Sequence, residues 1–188
     1  MKFKPDEFLL RFTTDKDYIK QFVSKVTRSK TWLELDRGTV SLENARNIFL
    51  SKYPLEKEFI EQFFDHWMDM LTPIEKNIEI LREVKELGYR SYILSNYIKE
   101  AFSYVRSKYS FFSLFDGQII SGFENVIKPE KGIYDLLLSR YNLLPEESLF
   151  IDDVLFFLKP AKKLGMKTIW NQPETDLQEE LRKFGIQI

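Results

Sequence analysis

No cysteine occurs among the 188 residues, and only one histidine. The first absence excludes disulfides, thiolate nucleophiles and cysteine-ligated zinc, and it suits a reducing cytoplasm. The second leaves His66 as the sole imidazole. It sits in "FIEQFFDHWMDML", a run with helical spacing of apolar residues and no strand-turn nucleophile beside it, so a Ser-His-Asp triad has no support. Charge of one sign is also lacking: 28 basic residues face 29 acidic ones, for a net charge of −1. A polyanion needs a concentrated basic face, so nucleic acid is not an expected partner. No apolar run approaches the ~20 residues of a membrane span, and the first residues carry no signal-peptide pattern. The expectation is a cytoplasmic chain with no membrane partner. Carboxylates, lysine, hydroxyls and a metal are what remain for catalysis.

Aromatic residues are plentiful, with 17 Phe, 9 Tyr and 3 Trp, enough for a sizeable core. The chain has no internal repeat or low-complexity segment, and its length suits one domain carrying a smaller subdomain. Its texture changes near residue 72. Before that point, residues 6–12, 15–26, 41–53 and 56–70 read as helices, with "FLLRF" (8–12) ambiguous between helix and strand. After it, helices at 73–87, 97–108, 130–141, 155–164 and 176–184 alternate with strands at 89–94, 117–121, 148–152 and 166–170. Strands separated by helices imply right-handed crossovers and a parallel sheet covered on both faces. The expected fold is α/β, with a helical subdomain over 1–72 and an α/β core over 73–188.

Ligands of open parallel sheets bind outside the carboxyl ends of the strands. The first strand ends in Ser95-Asn96 and the third in Asp152-Asp153; Lys128 follows the second, just ahead of a proline and a helix. Singly, each has a plain reading: Ser95, Asn96 and the aspartates as helix caps, Lys128 as a solvated lysine. Jointly they suit phosphate chemistry. A hydroxyl and backbone N–H groups hold phosphate oxygens, lysine offsets their charge, and carboxylates hold Mg2+.

"YILSN", "IKPEKGIYDLLL" and "LFIDDVLFFLKPAKKLGMKTI" resemble, in order and spacing, motifs two, three and four of the haloacid dehalogenase (HAD) superfamily. The resemblance covers about residues 73–170, and "WLELDRGTVSLENA" (32–45) is similar to the helical cap of its phosphatase and dehalogenase branch. It implies a Rossmann-like core and a Mg2+-dependent hydrolase of a small phosphorylated metabolite. An Asp nucleophile forms an aspartyl-phosphate that water hydrolyses, and a second Asp serves as acid and base. Carried over by motif, Ser95 binds phosphate with Asn96 beside it, and Lys128 steadies nucleophile and phosphate. Asp152 is the direct metal ligand, and Asp153 assists it.

The resemblance also exposes gaps. Motif one, a buried strand ending in D-x-D, does not precede the helical half. Asp15-Lys16-Asp17 is a literal D-x-D, but it fits a helix first turn better, where the macrodipole favours acids. In the family that strand lies between those ending at Ser95 and Asp152. Without it two central edges lie open, a cost in unpaired backbone groups. Three expectations follow: a shortened chain; replacement by another segment such as "FLLRF"; or direct pairing of the two strands, with a homodimer as one source of help. Val154 and Phe157 stand where the family pattern is polar, Pro160 falls within the helix, and the apolar run 154–158 suits packing under the cap, an apolar pocket or an interface. Little or no phosphatase activity is therefore expected. A non-catalytic HAD-fold module that binds a phospho-ligand or a protein is the alternative, and a 2-haloacid dehalogenase the remoter one.

Overall fold

A computed structural model describes all 188 residues. Six helices come first: α1 (Pro5–Leu9), α2 (Lys16–Val26), α3 (Lys30–Arg37), α4 (Leu42–Lys52), α5 (Lys57–His66) and α6 (Glu75–Glu86). Then follow β1 (Tyr92–Ser95), α7 (Lys99–Lys108), β2 (Gly117–Ile120), α8 (Ser121–Glu124), α9 (Lys131–Arg140), β3 (Leu149–Asp152), α10 (Leu155–Lys163), β4 (Lys167–Trp170) and α11 (Leu177–Lys183). The α/β class and the helical first half are as expected. The "FLLRF" run is helix and turn, so it does not fill the sheet. Helix α3 had not been anticipated. It is started by Ser29, whose hydroxyl accepts from the Trp32 amide, and stopped by Gly38 at φ +85°.

Gly38 has a second duty. A Cβ there would lie 2.3 Å from the Gly122 carbonyl oxygen, so α3 and α8 can touch only because position 38 lacks a side chain, and a Cβ at Gly122 would lie 2.7 Å from the Tyr97 carbonyl oxygen and the Lys99 amide of the loop after β1. Below the contact, Ser121 Oγ accepts from the Tyr97 amide at 2.9 Å and donates to the Asp36 carbonyl at 2.5 Å. The helical half is thus riveted to the strand-end loops by backbone approach and one buried hydroxyl. Its core is aromatic and continuous. Phe8, Phe22, Trp32, Phe49, Phe63, Phe64 and Trp67 interlock, and the same cluster takes in Ile98, Phe102 and Val105 of the core half.

The expected single sheet is instead two parallel pairs, β1 with β2 and β3 with β4. No strand lies between β1 and β3, and these two do not pair with each other. In a parallel ladder alternate residues turn their N–H and C=O to one neighbour. The Ser91 carbonyl accepts from Asp116, while Gln118 bonds the Tyr141 hydroxyl on the far side. Ile93 and Ser95 therefore face β2, and Tyr92 and Leu94 face away. Ser148 and Asp152 carbonyls accept from Lys167 and Asn171 of the β4 side, so Leu149 and Ile151 face away from β4. All four β1 residues are only partly buried and Ile151 is exposed, which is unusual for strands in the middle of a fold.

Candidate active site

The carboxyl ends of β1 and β3 meet on one side chain. Lys128, in the turn ahead of α9, is buried; its Nζ donates to Asp152 Oδ2 at 2.5 Å and to the Leu94 carbonyl at 3.1 Å. The ammonium thereby satisfies one backbone oxygen left unpaired by the open edge of β1. It also lies over the rings of Phe150 and Phe157, at 5.7 and 5.1 Å from their centroids. The backbone at Lys128 is clamped from β1: Asn96 Oδ1 accepts its N–H at 2.7 Å, and Asn96 Nδ2 donates to its carbonyl at 3.0 Å. The Lys128–Pro129 peptide is cis.

Of the residues singled out in the sequence, the fold brings Asn96, Lys128 and Asp152 into direct contact. Ser95 sits next to them on β1, and its hydroxyl makes only a long 3.5 Å contact to the Asn96 carbonyl, which leaves it available. Asp153 turns outward and is exposed; only its backbone carbonyl is used, by Trp170 Nε1. Its charge acts on the Met1 amine, whose pKa burial lowers and Asp153 partly restores. Asp15 caps α2 through the Tyr18 amide, so the literal D-x-D belongs to a helix start in the helical half. His66 is a half-exposed end residue of α5 stacked on Phe12.

The donors present do not make up a Mg2+ site by themselves. Asp152 spends one carboxylate oxygen on Lys128 and the other on the Val154 amide. Of the two strand-end aspartates only Asp153 is uncommitted, and no group of three acidic or histidine side chains could hold an ion. In the run after Asp153, Phe157 packs against the cluster of α9 and α10. Val154, Leu155 and Phe156 are exposed, and only Leu158 is buried.

Several residues of the strand-end region gave no sequence signal of their own. Arg37 at the end of α3 makes a two-pronged ion pair with Glu130, at 2.6 and 2.9 Å, tying the helical half to the turn that carries Lys128. Asp36 and Tyr97 lie where α3 meets the loop after β1. Burial pushes the Asp36 carboxyl up to about 7 and raises the Tyr97 phenol further above its ordinary value, with the Tyr109 and Asp36 charges adding to the latter. Asp36 falls within the 32–45 stretch already noted, but burial cannot be read from that stretch.

The family pattern of haloacid dehalogenase-like hydrolases matches residues 13–171. A sesquiterpene phosphatase of Aspergillus oryzae is 27% identical over 141 residues, covering 75% of this chain and 72% of the relative. A glyceraldehyde 3-phosphate phosphatase of Pyrococcus abyssi is 36% identical over 95 residues, covering 49% of this chain; the match spans 39% of the relative's own length. Drimenol cyclase of Aspergillus calidoustus is 24% identical over 170 residues, and the match covers 88% of this chain but only 32% of that protein. Among solved structures, a HAD family enzyme of Bacteroides thetaiotaomicron has the same fold at a TM-score of 0.75 and 18% identity, with 97% of this chain and 92% of that chain aligned.

Proposed function

The chain belongs to the haloacid dehalogenase-like hydrolases, and from that premise we propose a Mg2+-dependent phosphatase by descent, directed at a small phosphorylated metabolite. We further propose that residues 1–188 alone turn over little or none of it. The supporting observation is the Lys128 ammonium, buried at the ends of β1 and β3 with Asn96 and a free Ser95 hydroxyl beside it, and with no strand between to deliver a nucleophilic carboxylate. Lys128 offsets phosphate charge, and Ser95 Oγ with the Asn96 amide donates to phosphate oxygens. Asp153 is the carboxylate free to move a proton. The phosphatase relatives support the substrate class, and the Bacteroides neighbour, crystallised with magnesium and inorganic phosphate, supports the cation. Bound Mg2+ would neutralise phosphate charge; Asp152, held by Lys128, is the ligand this chain withholds.

Turnover of p-nitrophenyl phosphate with Mg2+ tests the reading. No rate above buffer is expected, and robust turnover would overturn the inactivity. The engaged Asp152 favours a second reading, a non-catalytic module that holds a phospho-ligand. Calorimetric titration with inorganic phosphate supports it if heat is seen without turnover and is lost in Lys128→Ala that still folds by circular dichroism. The dehalogenase reading gains nothing, since that chemistry uses the same absent nucleophile.

A further inference from the structure

The apolar run after Asp153 finds no cover in the fold. Val154, Leu155 and Phe156 are 41, 48 and 57% exposed, and Trp170, whose Nε1 donates to the Asp153 carbonyl, is 41% exposed beside them. The phosphate reading uses none of these side chains. Leu155 and Phe156 form the first turn of α10, where the macrodipole favours acids, and Val154 ahead of them offers no side-chain cap. At about 100° per residue, Leu155, Phe156, Lys159 and Lys163 share one face of the helix, with Lys162 at its margin. The opposite face holds Leu158 and Ala161, buried in the cluster with α9. The exposed face is thus apolar at one end and cationic at the other. Lys159 lies over the Phe156 ring, 5.4 Å from its centroid, so the two ends are continuous. Lys25, Lys85, Lys131 and Lys183 each have a carboxylate partner, whereas Lys159, Lys162 and Lys163 have none. In a chain with 28 basic and 29 acidic residues, three neighbouring cations without a counter-charge are a local excess.

We propose that this face binds the surface of an anionic lipid bilayer, with Leu155 and Phe156 entering the headgroup layer and Lys159, Lys162 and Lys163 resting on the lipid charges. The expectation of no membrane partner rested on the lack of a span, and a surface contact needs none. Charge decides among the occupants. A second copy meeting the face about a two-fold axis would set Lys159 and Lys163 against their own counterparts. An anionic layer meets all three ammonium groups at once, each worth roughly a fivefold gain in partitioning near such a surface. An acidic protein would need a pocket shaped for Phe156, whereas a bilayer yields to it. Trp170 adds an interfacial ring at the edge of the apolar turn. Asp153, exposed next to Val154, works against the contact and so supplies a test of its sign.

Co-sedimentation of the full chain with vesicles of phosphatidylcholine alone, and of equal parts phosphatidylcholine and phosphatidylserine, tests the proposal. At low salt, partitioning onto the mixed vesicles is expected to exceed that onto the neutral ones at least about tenfold, and to fall in about 0.5 M salt. Lys162→Glu with Lys163→Glu should weaken it at least about tenfold, and so should Leu155→Ser with Phe156→Ser. Asp153→Asn should strengthen it several-fold. These positions are exposed, so each variant is expected to keep the melting curve of the unaltered chain by circular dichroism. Trp32 and Trp67 are buried, so the fluorescence change on binding should come from Trp170 and be lost in Trp170→Phe. Equal binding to both vesicle types, binding to neither, or binding retained in the Leu155→Ser/Phe156→Ser variant overturns the proposal. Polyglutamate bound as tightly as the mixed vesicles overturns it in favour of an acidic protein. A dimer in size-exclusion chromatography that Phe156→Ser dissolves overturns it in favour of a second copy. None of these outcomes depends on whether the chain binds or hydrolyses a phosphate ester.

Discussion

The helical half and the sheet half solve the burial problem unequally. The first supplies 15 of the 20 residues of one continuous cluster, rich in edge-to-face ring pairs such as Phe22 with Phe63 at 5.5 Å. The second has two further clusters of 8 and 4, one uniting β2, α9, β3 and α10, the other between β4, α6 and α11. The unpaired edges of β1 and β3 are bridged at their ends by Lys128 and Asp152, and the cluster of eight packs across both strand pairs. Helices satisfy their own backbone, so the helical half needs only a shared apolar face. A sheet satisfies its backbone through neighbours, and where one is lacking a side chain such as Lys128 supplies a partner, as it does for the Leu94 carbonyl.

The comparison can be broken or sharpened by measurement. Phe63→Ala, in the middle of the aromatic cluster and fully buried, should cost about 3–5 kcal/mol in urea unfolding. A loss under about 1 kcal/mol would mean that the helical half is not the more tightly packed one. Asp152→Ala leaves Lys128 buried without its partner; both side chains are less than a tenth exposed, and breaking such a pair costs on the order of 3 kcal/mol. Asp152→Asn, which keeps an acceptor, should cost less. If the two variants are equal, the pair does not bridge the halves of the sheet.

Acidity gives a third probe, confined to the junction of the two halves. The Asp36 pKa is raised from 3.8 to about 7 in the folded chain, so the folded state binds the proton more tightly than the unfolded one. Its contribution is therefore fully present below about pH 4 and is lost as pH rises towards 7. Asp36→Asn should flatten that part of the stability profile; an unchanged slope in urea titrations at pH 4 to 7 would show that Asp36 is solvated. Amide hydrogen exchange reads the open edges directly. Tyr92, Leu94, Leu149 and Ile151 should exchange much faster than Ile93, Ser95, Phe150 and Asp152, their neighbours on the same strands. Equal protection would mean that the edges are covered. The smallest effect belongs to Arg37→Ala. Its pair with Glu130 is partly exposed, and its removal should cost no more than about 1 kcal/mol.

Much of the fold was legible because it is local. Ser41 and Asp15 each cap the helix that follows, through a hydroxyl or carboxylate that reaches a backbone amide within three residues. Alternating short apolar runs and helical periods placed all four strands to within a few residues. Ser121 was misplaced, read as the end of a strand though it opens α8, because a β-to-helix junction carries no cap signal when its serine is used elsewhere. At the site, Asn96, Lys128 and Asp152 were found from their shared position at strand ends. Asp153 was paired with Asp152 by adjacency, whereas successive strand residues point to opposite sides, and the structure turns it to solvent.

Sequence alone determined the α/β class, the helical first half, the position of Ser95, Asn96 and Asp152 at strand ends and the exclusion of thiol and triad chemistry. Each of these follows from residue type and short-range period. Only the tertiary structure decided that the sheet is two pairs, that Lys128 occupies Asp152, and that Asp36 and Tyr97 lie together at the junction of the two halves. Those are contacts between segments far apart in the chain. They depend on which backbone groups find a neighbour and which side chains are left without one, and no local pattern records either.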